Sequence, residues 1–122
     1  MTYAGLLSFV YADLKKDDPR VAAAIEWLGK NYTLEENPGL AQAGVYYYYH
    51  LAAKGLATAK VTELQTADGK KVKWARDLGL KLINLQKGDG TWVNGTARWM
   101  EADPVLVTTY SVLALEIIYN QL

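Results

Sequence analysis

The only histidine of the chain, His50, directly follows four consecutive tyrosines, Tyr46 to Tyr49. An imidazole titrates near neutral pH, so in a cavity His50 would move a proton or orient a ligand. In a packed core it would be a boundary residue held by one hydrogen bond. Tyrosine faces are electron-rich and suit cationic or extended apolar ligands, while a buried phenol needs a polar partner. Nine Tyr and four Trp stand beside a single Phe, so nearly every aromatic carries a polar handle. That composition fits helix packing with hydroxyls reaching backbone or water, and it also fits an aromatic-lined cavity. The remaining groups with chemical potential read more simply. Asp17-Asp18 and Glu101-Ala102-Asp103 fall at expected helix starts, where carboxylates act as caps. Arg98 and Glu101 flank Trp99 in an irregular connection, where a buried Arg–carboxylate pair holding the loop is expected; polar groups at a cavity mouth are the alternative. Gly88-Asp89-Gly90 lacks both the Lys-Ser/Thr of a phosphate loop and the carboxylate spacing of a calcium loop. Asn31-Tyr32-Thr33 and Asn94-Gly95-Thr96 match the glycosylation pattern, as chance matches would. With no Cys and one His, no metal set and no cofactor are expected.

The bulk properties narrow the classes of function. A chain of 122 residues is expected to form one domain, spanning 1–122. Thirteen basic and thirteen acidic residues cancel, which removes the electrostatic case for nucleic acid or an anionic membrane as partner. The absence of Cys rules out disulfides and a thiol nucleophile, and it fits a cytoplasmic, reducing location. No apolar run approaches the length of a membrane span, and the N-terminal segment lacks a basic leader pattern. The chain reads as soluble.

Five helices are expected to position these groups. The first covers about Thr2 to Lys15, with Thr2 as its cap. Asp18-Pro19 is a strong start signal for a second helix reaching about Tyr32. Asn37-Pro38-Gly39 precedes a third, about Leu40 to Thr58, whose tyrosine run is apolar or aromatic on all sides. Val61 to Lys73, with Ala67-Asp68-Gly69 at its centre, reads as a short hairpin or ordered loop. The fourth helix covers about Trp74 to Leu85, and Asp103-Pro104 opens a fifth, Val105 to about Tyr119. The first, third and fifth helices are apolar, and the second and fourth are amphipathic. An up-and-down bundle would make all its helices amphipathic to a similar degree. Alternation suits inner helices that touch neighbours on several sides and outer helices that keep a wet face. Laying Ile25-Glu26-Trp27-Leu28 on Leu80-Lys81-Leu82-Ile83 gives a loose internal repeat. Gly5, Gly44 and Ser111 are then expected to let inner helices approach their outer partners closely.

Between the fourth helix and the loop before the fifth, Gln86, Asp89, Gly90 and Trp92 form a Q-x-x-D-G-x-W element. Gly90 can take the positive φ of a helix end or turn, Asp89 can bond its own backbone, and Trp92 offers an apolar body with one N–H. This element resembles the one that recurs in squalene–hopene cyclases and related prenyltransferase-like α/α toroids. Met1-Thr2-Tyr3-Ala4-Gly5-Leu6, Asp18-Pro19-Arg20-Val21, Tyr32-Thr33-Leu34-Glu35-Glu36-Asn37-Pro38-Gly39, Tyr46-Tyr47-Tyr48-Tyr49-His50, Arg98-Trp99-Met100-Glu101 and Asp103-Pro104 are similar to bacterial prenyltransferase/squalene-oxidase-repeat proteins. The resemblance implies an all-α, α/α-toroid segment with alternating inner and outer helices, in which Gln86 and Trp92 tie neighbouring repeats together. It does not carry an activity over. The D-x-D-D-T acid run of the cyclases is absent, and so are the Asp, Cys and His that hold zinc in protein prenyltransferases.

Family toroids contain about a dozen helices and Met1 resembles an internal Met of longer members, so the resemblance also implies a segment of a larger ring. Such an arc leaves apolar faces in water, and these faces predict self-association into a dimer or trimer that completes the ring. The expected function is thus a non-catalytic, self-associating toroid module. The alternatives are a binder of an isoprenoid or other apolar ligand, through Tyr46, Tyr47, Tyr49, His50 and Tyr110, or part of an enzyme whose catalytic residues lie outside this chain. Successive helical residues are about 100° apart, so at most two of the four tyrosines can face one lumen. Tyr47 groups with Gly44 and Leu51, and Tyr46 with Tyr49, His50 and Ala53.

Overall fold

The computed structural model describes residues 1–122. Five α-helices and one two-stranded hairpin follow in the order α1 (Thr2–Tyr11), α2 (Pro19–Lys30), α3 (Val45–Thr58), β1 (Leu64–Gln65), β2 (Lys71–Val72), α4 (Trp74–Leu85) and α5 (Pro104–Tyr119). A single 3-10 turn, Arg98–Met100, precedes α5. The two Asp-Pro signals act as read. Asp18 accepts from Arg20 N at 2.9 Å and Asp103 accepts from Val105 N at 2.9 Å, with proline in the first turn of each helix.

The boundaries of α1 and α3 differ from expectation. Thr2 is the first helical residue rather than the cap, and Met1 stands at the cap position without a side-chain bond. α1 stops at Tyr11 because Asp13 turns left-handed at φ 60°. Leu14 N then donates to Phe9 O at 3.1 Å and Asp13 N to Val10 O at 3.0 Å, a Schellman ending that folds Leu14 back onto the core. α3 ends in the same way, with Lys60 at φ 55° and Val61 N donating to Leu56 O at 2.9 Å. At its other end α3 starts at Val45, not Leu40. Ala41 (φ 51°) and Gly44 (φ 67°) are left-handed, which no helix interior accommodates, and Asn37 pairs with Ala41 to close a small loop.

α3 packs against α1 on one side and α5 on the other; α2 packs on α1 and β1, and α4 packs on α5 and touches α3. Leu6, Leu56, Leu78, Leu82 and Val107 are at most 1 % exposed and form the continuous core with Tyr49 and Trp74. Burial of each aliphatic side chain contributes about 1.5–3 kcal/mol. Gly5, Gly44 and Ser111 do not all act as points of close helix approach. Gly5 faces open space, Gly44 lies outside the helix and admits the Trp99 ring, and Ser111 is buried with its hydroxyl bonded to Val107 O of its own helix at 2.9 Å. Instead, Gly29 admits the Gln65 carbonyl to α2, with O only 2.1 Å from where a Cβ would sit. Gly55 admits the Tyr3 carbonyl to α3 at 3.0 Å from the same point. Burial also shifts the internal repeat by one residue. Leu28 and Leu82 are the buried pair, at 2 % and 0 %, whereas Ile83, laid on Leu28 by sequence, is 59 % exposed.

α5 is apolar on every side but buried on only one. Val107, Ser111, Ala114 and Ile118 face the core, while Val105 (74 % exposed), Val112 (52 %) and Leu113 (40 %) face water. No helix is long and apolar enough to cross a membrane.

Candidate functional site: an aromatic cavity at the start of α3

A buried carboxylate organises the region where α1, α3, α5 and the Arg98–Met100 turn converge. Glu101 is 1 % exposed. Its Oε1 accepts from Tyr47 N at 2.8 Å, and its Oε2 accepts from Tyr46 N at 3.3 Å and from Asn94 Nδ2 at 2.8 Å. These backbone N–H groups belong to the first turn of α3, which has no intrahelical partner for them. Gly44 precedes that turn and has no side chain to cap it, so Glu101, 54 positions after Tyr47, does so. The carboxylate also complements the positive end of the helix. Asn94 holds Glu101 in place: its Nδ2 also donates to Gln42 O at 2.7 Å, and its N donates to Glu101 O at 2.9 Å. Of the Asn94-Gly95-Thr96 pattern, Asn94 is therefore a buried tie of the loop, 6 % exposed, while Gly95 and Thr96 are exposed.

The expected Arg98–Glu101 pair does not form. Arg98 is exposed, and its guanidinium lies over the ring of Trp99, 4.3 Å from the centroid. Trp99 and Met100 both adopt left-handed backbone, φ 55° and 65°, a conformation costing on the order of 1–2 kcal/mol per residue. The strain places the Trp99 ring across the start of α3. A Cβ on Gly44 would stand 2.8 Å from that ring, so glycine is needed there for contact as well as for φ.

Beside this knot lies a cavity of about 340 Å3, lined chiefly by Tyr3, Tyr47, Tyr48, Trp99, Tyr110 and Glu101. Gly44, Tyr47 and Leu51, which helical spacing puts on one face of the α3 segment, all line it, together with Leu40. Tyr47 and Tyr110 are tilted against each other with centroids 5.8 Å apart. Tyr47 is 43 % exposed and Trp99 53 %, so the cavity opens to solvent between them.

The other three tyrosine-helix residues singled out from sequence lie elsewhere. Tyr46 and Tyr49 are buried, edge to face at 5.7 Å, and the Tyr49 hydroxyl donates to Leu34 O at 2.6 Å. His50 stacks on Tyr110 at 5.8 Å but does not itself line the cavity. Its Nδ1 is buried without a partner, and burial first, then the Lys54 charge, lower its pKa, so the ring is neutral at physiological pH. Burial raises the Tyr46, Tyr48, Tyr49 and Tyr110 hydroxyls above the ordinary tyrosine range, so none ionises near neutrality. Tyr3, Trp99 and Glu101 join the cavity from segments that sequence spacing does not relate to α3, and Tyr48 joins it from α3 itself. The Tyr48 hydroxyl donates to Thr33 O at 2.8 Å.

The Q-x-x-D-G-x-W residues form a second assembly. Asp89 Oδ1 accepts from Thr91 N at 3.0 Å and from Thr91 Oγ1 at 2.7 Å, Gly90 is left-handed at φ 86°, and Gln86 Nε2 donates to Gly90 O at 3.0 Å. Trp92 is 3 % exposed; its Nε1 donates to Leu82 O at 2.8 Å and its backbone N to Thr108 Oγ1 at 3.1 Å. Gln86 closes its own loop, and Trp92 ties the end of α4 to α5. These contacts are structural. No group of three or more His, Asp or Glu side chains is placed to hold a metal ion. Comparison with family models, curated proteins and solved structures gives no match.

Proposed function

We propose that this chain is a non-catalytic α/α-toroid arc that holds an apolar small molecule, of isoprenoid or similar character, in its tyrosine cavity. The observation that carries the reading is the lining: five aromatic rings and two leucines around a space of about 340 Å3. That volume lies within the range of small-ligand pockets, which are mostly apolar with a few fixed polar groups. The toroid part rests on helix order. The apolar helices α1, α3 and α5 neighbour one another, and the amphipathic helices α2 and α4 pack on α1 and α5. Solvent extraction of the purified protein followed by mass spectrometry, together with calorimetric titration with an isoprenoid alcohol of farnesol length, tests the reading. A co-purifying or titratable ligand whose affinity falls at least tenfold in Tyr47→Ala supports it. Absence of both, or binding indifferent to Tyr47, overturns it.

Self-association is a second reading, favoured by the free face of α5, where Val105, Val112 and Leu113 are 40–74 % exposed. Apolar faces of this kind mark association surfaces, and a second copy arranged head to tail would extend the α1–α3–α5 row. Light scattering on a chromatographed dilution series is the test. A constant multiple of 13.5 kDa, reduced to the single-chain mass by Val112→Lys, is the expected result. A single-chain mass at all concentrations removes this reading and leaves the cavity reading standing.

A further inference from the structure

The cavity carries one formal charge on its lining side chains, the carboxylate of Glu101, and no Lys, Arg or His lines it. A carboxylate offers about four acceptor positions. Three are filled, two on Oε2 and one on Oε1, which leaves Oε1 one position short of its capacity. The charge is nearly dry, at 1 % exposure, where its field is screened least. The field reaches the cavity wall: the Tyr110 hydroxyl is raised by burial first and by Glu101 next. The positive groups nearby are placed differently. Arg98 is exposed and rests over Trp99, and Met1 at the rim is 89 % exposed, so water screens whatever charge either carries. The half-charge of the α3 N-terminus offsets part of the carboxylate but not all of it. The faces of Tyr47, Tyr110 and Trp99 add negative quadrupole to the same space.

We infer that the cavity selects its ligand by charge: it takes an apolar body ending in an ammonium group and turns away carboxylates and phosphates, since the side-chain donors on its lining, such as Asn37 and the tyrosine hydroxyls, are neutral. The ammonium sits against Glu101 Oε1 and the tyrosine faces, and the apolar body lies toward Leu40 and Leu51. This rests on the cavity's being a ligand site at all, as proposed above.

A matched trio separates the two statements: an amine, an alcohol and a carboxylic acid on the same branched terpenoid body, each titrated calorimetrically into the unmodified protein. The expected order is amine tighter than alcohol by about tenfold, and acid weaker than alcohol by at least as much. Equal affinities, or an acid that binds as well as the amine, overturn the charge selection and leave the apolar site intact. Failure of all three to bind overturns both. Glu101→Gln supplies an internal check that keeps a side chain of the same shape. In a variant whose circular dichroism remains helical, the amine's advantage over the alcohol is expected to fall to within about twofold; a retained tenfold advantage would move the selectivity away from Glu101. Should that variant lose its helical signal, the trio on the unmodified chain still decides the matter.

Discussion

The chain contains two Asp-Gly turns with nearly the same hydrogen bonds and different consequences. In Thr66–Lys70, Gly69 N donates to Thr66 O at 2.9 Å and Thr66 N to Lys70 O at 2.8 Å. In Lys87–Thr91, Gly90 N donates to Lys87 O at 2.9 Å and Lys87 N to Thr91 O at 2.8 Å. The glycines have φ 82° and 86°, and each aspartate accepts from a threonine hydroxyl and a backbone N–H. Both are three-residue hairpin loops with the last residue left-handed. Each is followed by a buried tryptophan whose Nε1 donates to a distant carbonyl, Trp74 to Val61 O and Trp92 to Leu82 O. Yet the first closes a β-hairpin, with Leu64 opposite Val72, and the second brings the chain off the end of a helix. Turn geometry is therefore local chemistry, while what the turn joins is set by the partners outside it. Gln65 is drawn into an extended segment by its close contact with Gly29 of α2, whereas Leu85 completes α4 and Gln86 becomes extended only beyond it.

The tryptophans give the largest test of this equivalence. Trp74→Ala and Trp92→Ala are each expected to cost about 3–5 kcal/mol in urea unfolding, since each empties a core position. A Trp92→Ala cost below about 1 kcal/mol would mean that α4 and α5 are joined by other contacts. Next come the turn glycines. A Cβ on Gly69 meets nothing within 4 Å, and one on Gly90 meets only Gln86 Nε2 at 3.9 Å. Gly69→Ala and Gly90→Ala should therefore both cost about 1–2 kcal/mol from backbone strain alone. Unequal costs would break the comparison and show that one turn is held by its surroundings. Thr108→Val sharpens it, because only the second turn is followed by a tie to α5; losing the acceptor for Trp92 N is expected to cost about 1 kcal/mol.

The smallest effect is one of pH. Hydrogen bonds from Thr66 to Asp68, and from Thr91 to Asp89, come first among the causes that lower the pKa of each carboxyl. A carboxyl lowered on folding stabilises the protein above its unfolded pKa and loses that contribution as pH falls through the folded value. Acid unfolding curves of Asp68→Asn and Asp89→Asn should thus converge on that of the parent below the ordinary aspartate range and separate from it above. A separation that persists undiminished at the acid end would assign the effect to shape rather than charge.

Much of the helical plan was legible because it is written locally. α4 has the expected boundaries, α5 begins one residue earlier than read, and α2 ends two residues sooner, at Lys30. Both Asp-Pro starts are caps whose partner is two residues away. The end of α3 at Thr58 is as expected, but the end of α1 and the start of α3 are not legible, because Asp13 and Ala41 are left-handed without being glycine, as is Lys60 beyond α3. Such residues are held there by the packing of their neighbours, here Leu14 and Val61 against the core. For the cavity, helical spacing groups Tyr47 with Gly44 and Leu51, and Tyr110, also a sequence candidate, lines it with them. Local spacing relates neither Trp99 nor Tyr3 to these residues, and it pairs Glu101 with Arg98 three residues away rather than with α3. A short-range charge pair was expected, and a long-range helix cap with better hydrogen-bonding geometry took the carboxylate instead.

The distance between α3 and its cap also has a meaning in time. Protein synthesis adds about 5–20 residues per second, and Glu101 is translated 54 residues after Tyr47. On a ribosome, the first turn of α3 therefore waits roughly 3–10 s at that rate before its carboxylate exists. During that interval the nascent tyrosine helix is uncapped, and the wall that Trp99 later supplies is missing. The central helix of the molecule is thus among the last to be locked, and a pause in translation just before Arg98 would prolong its most vulnerable state.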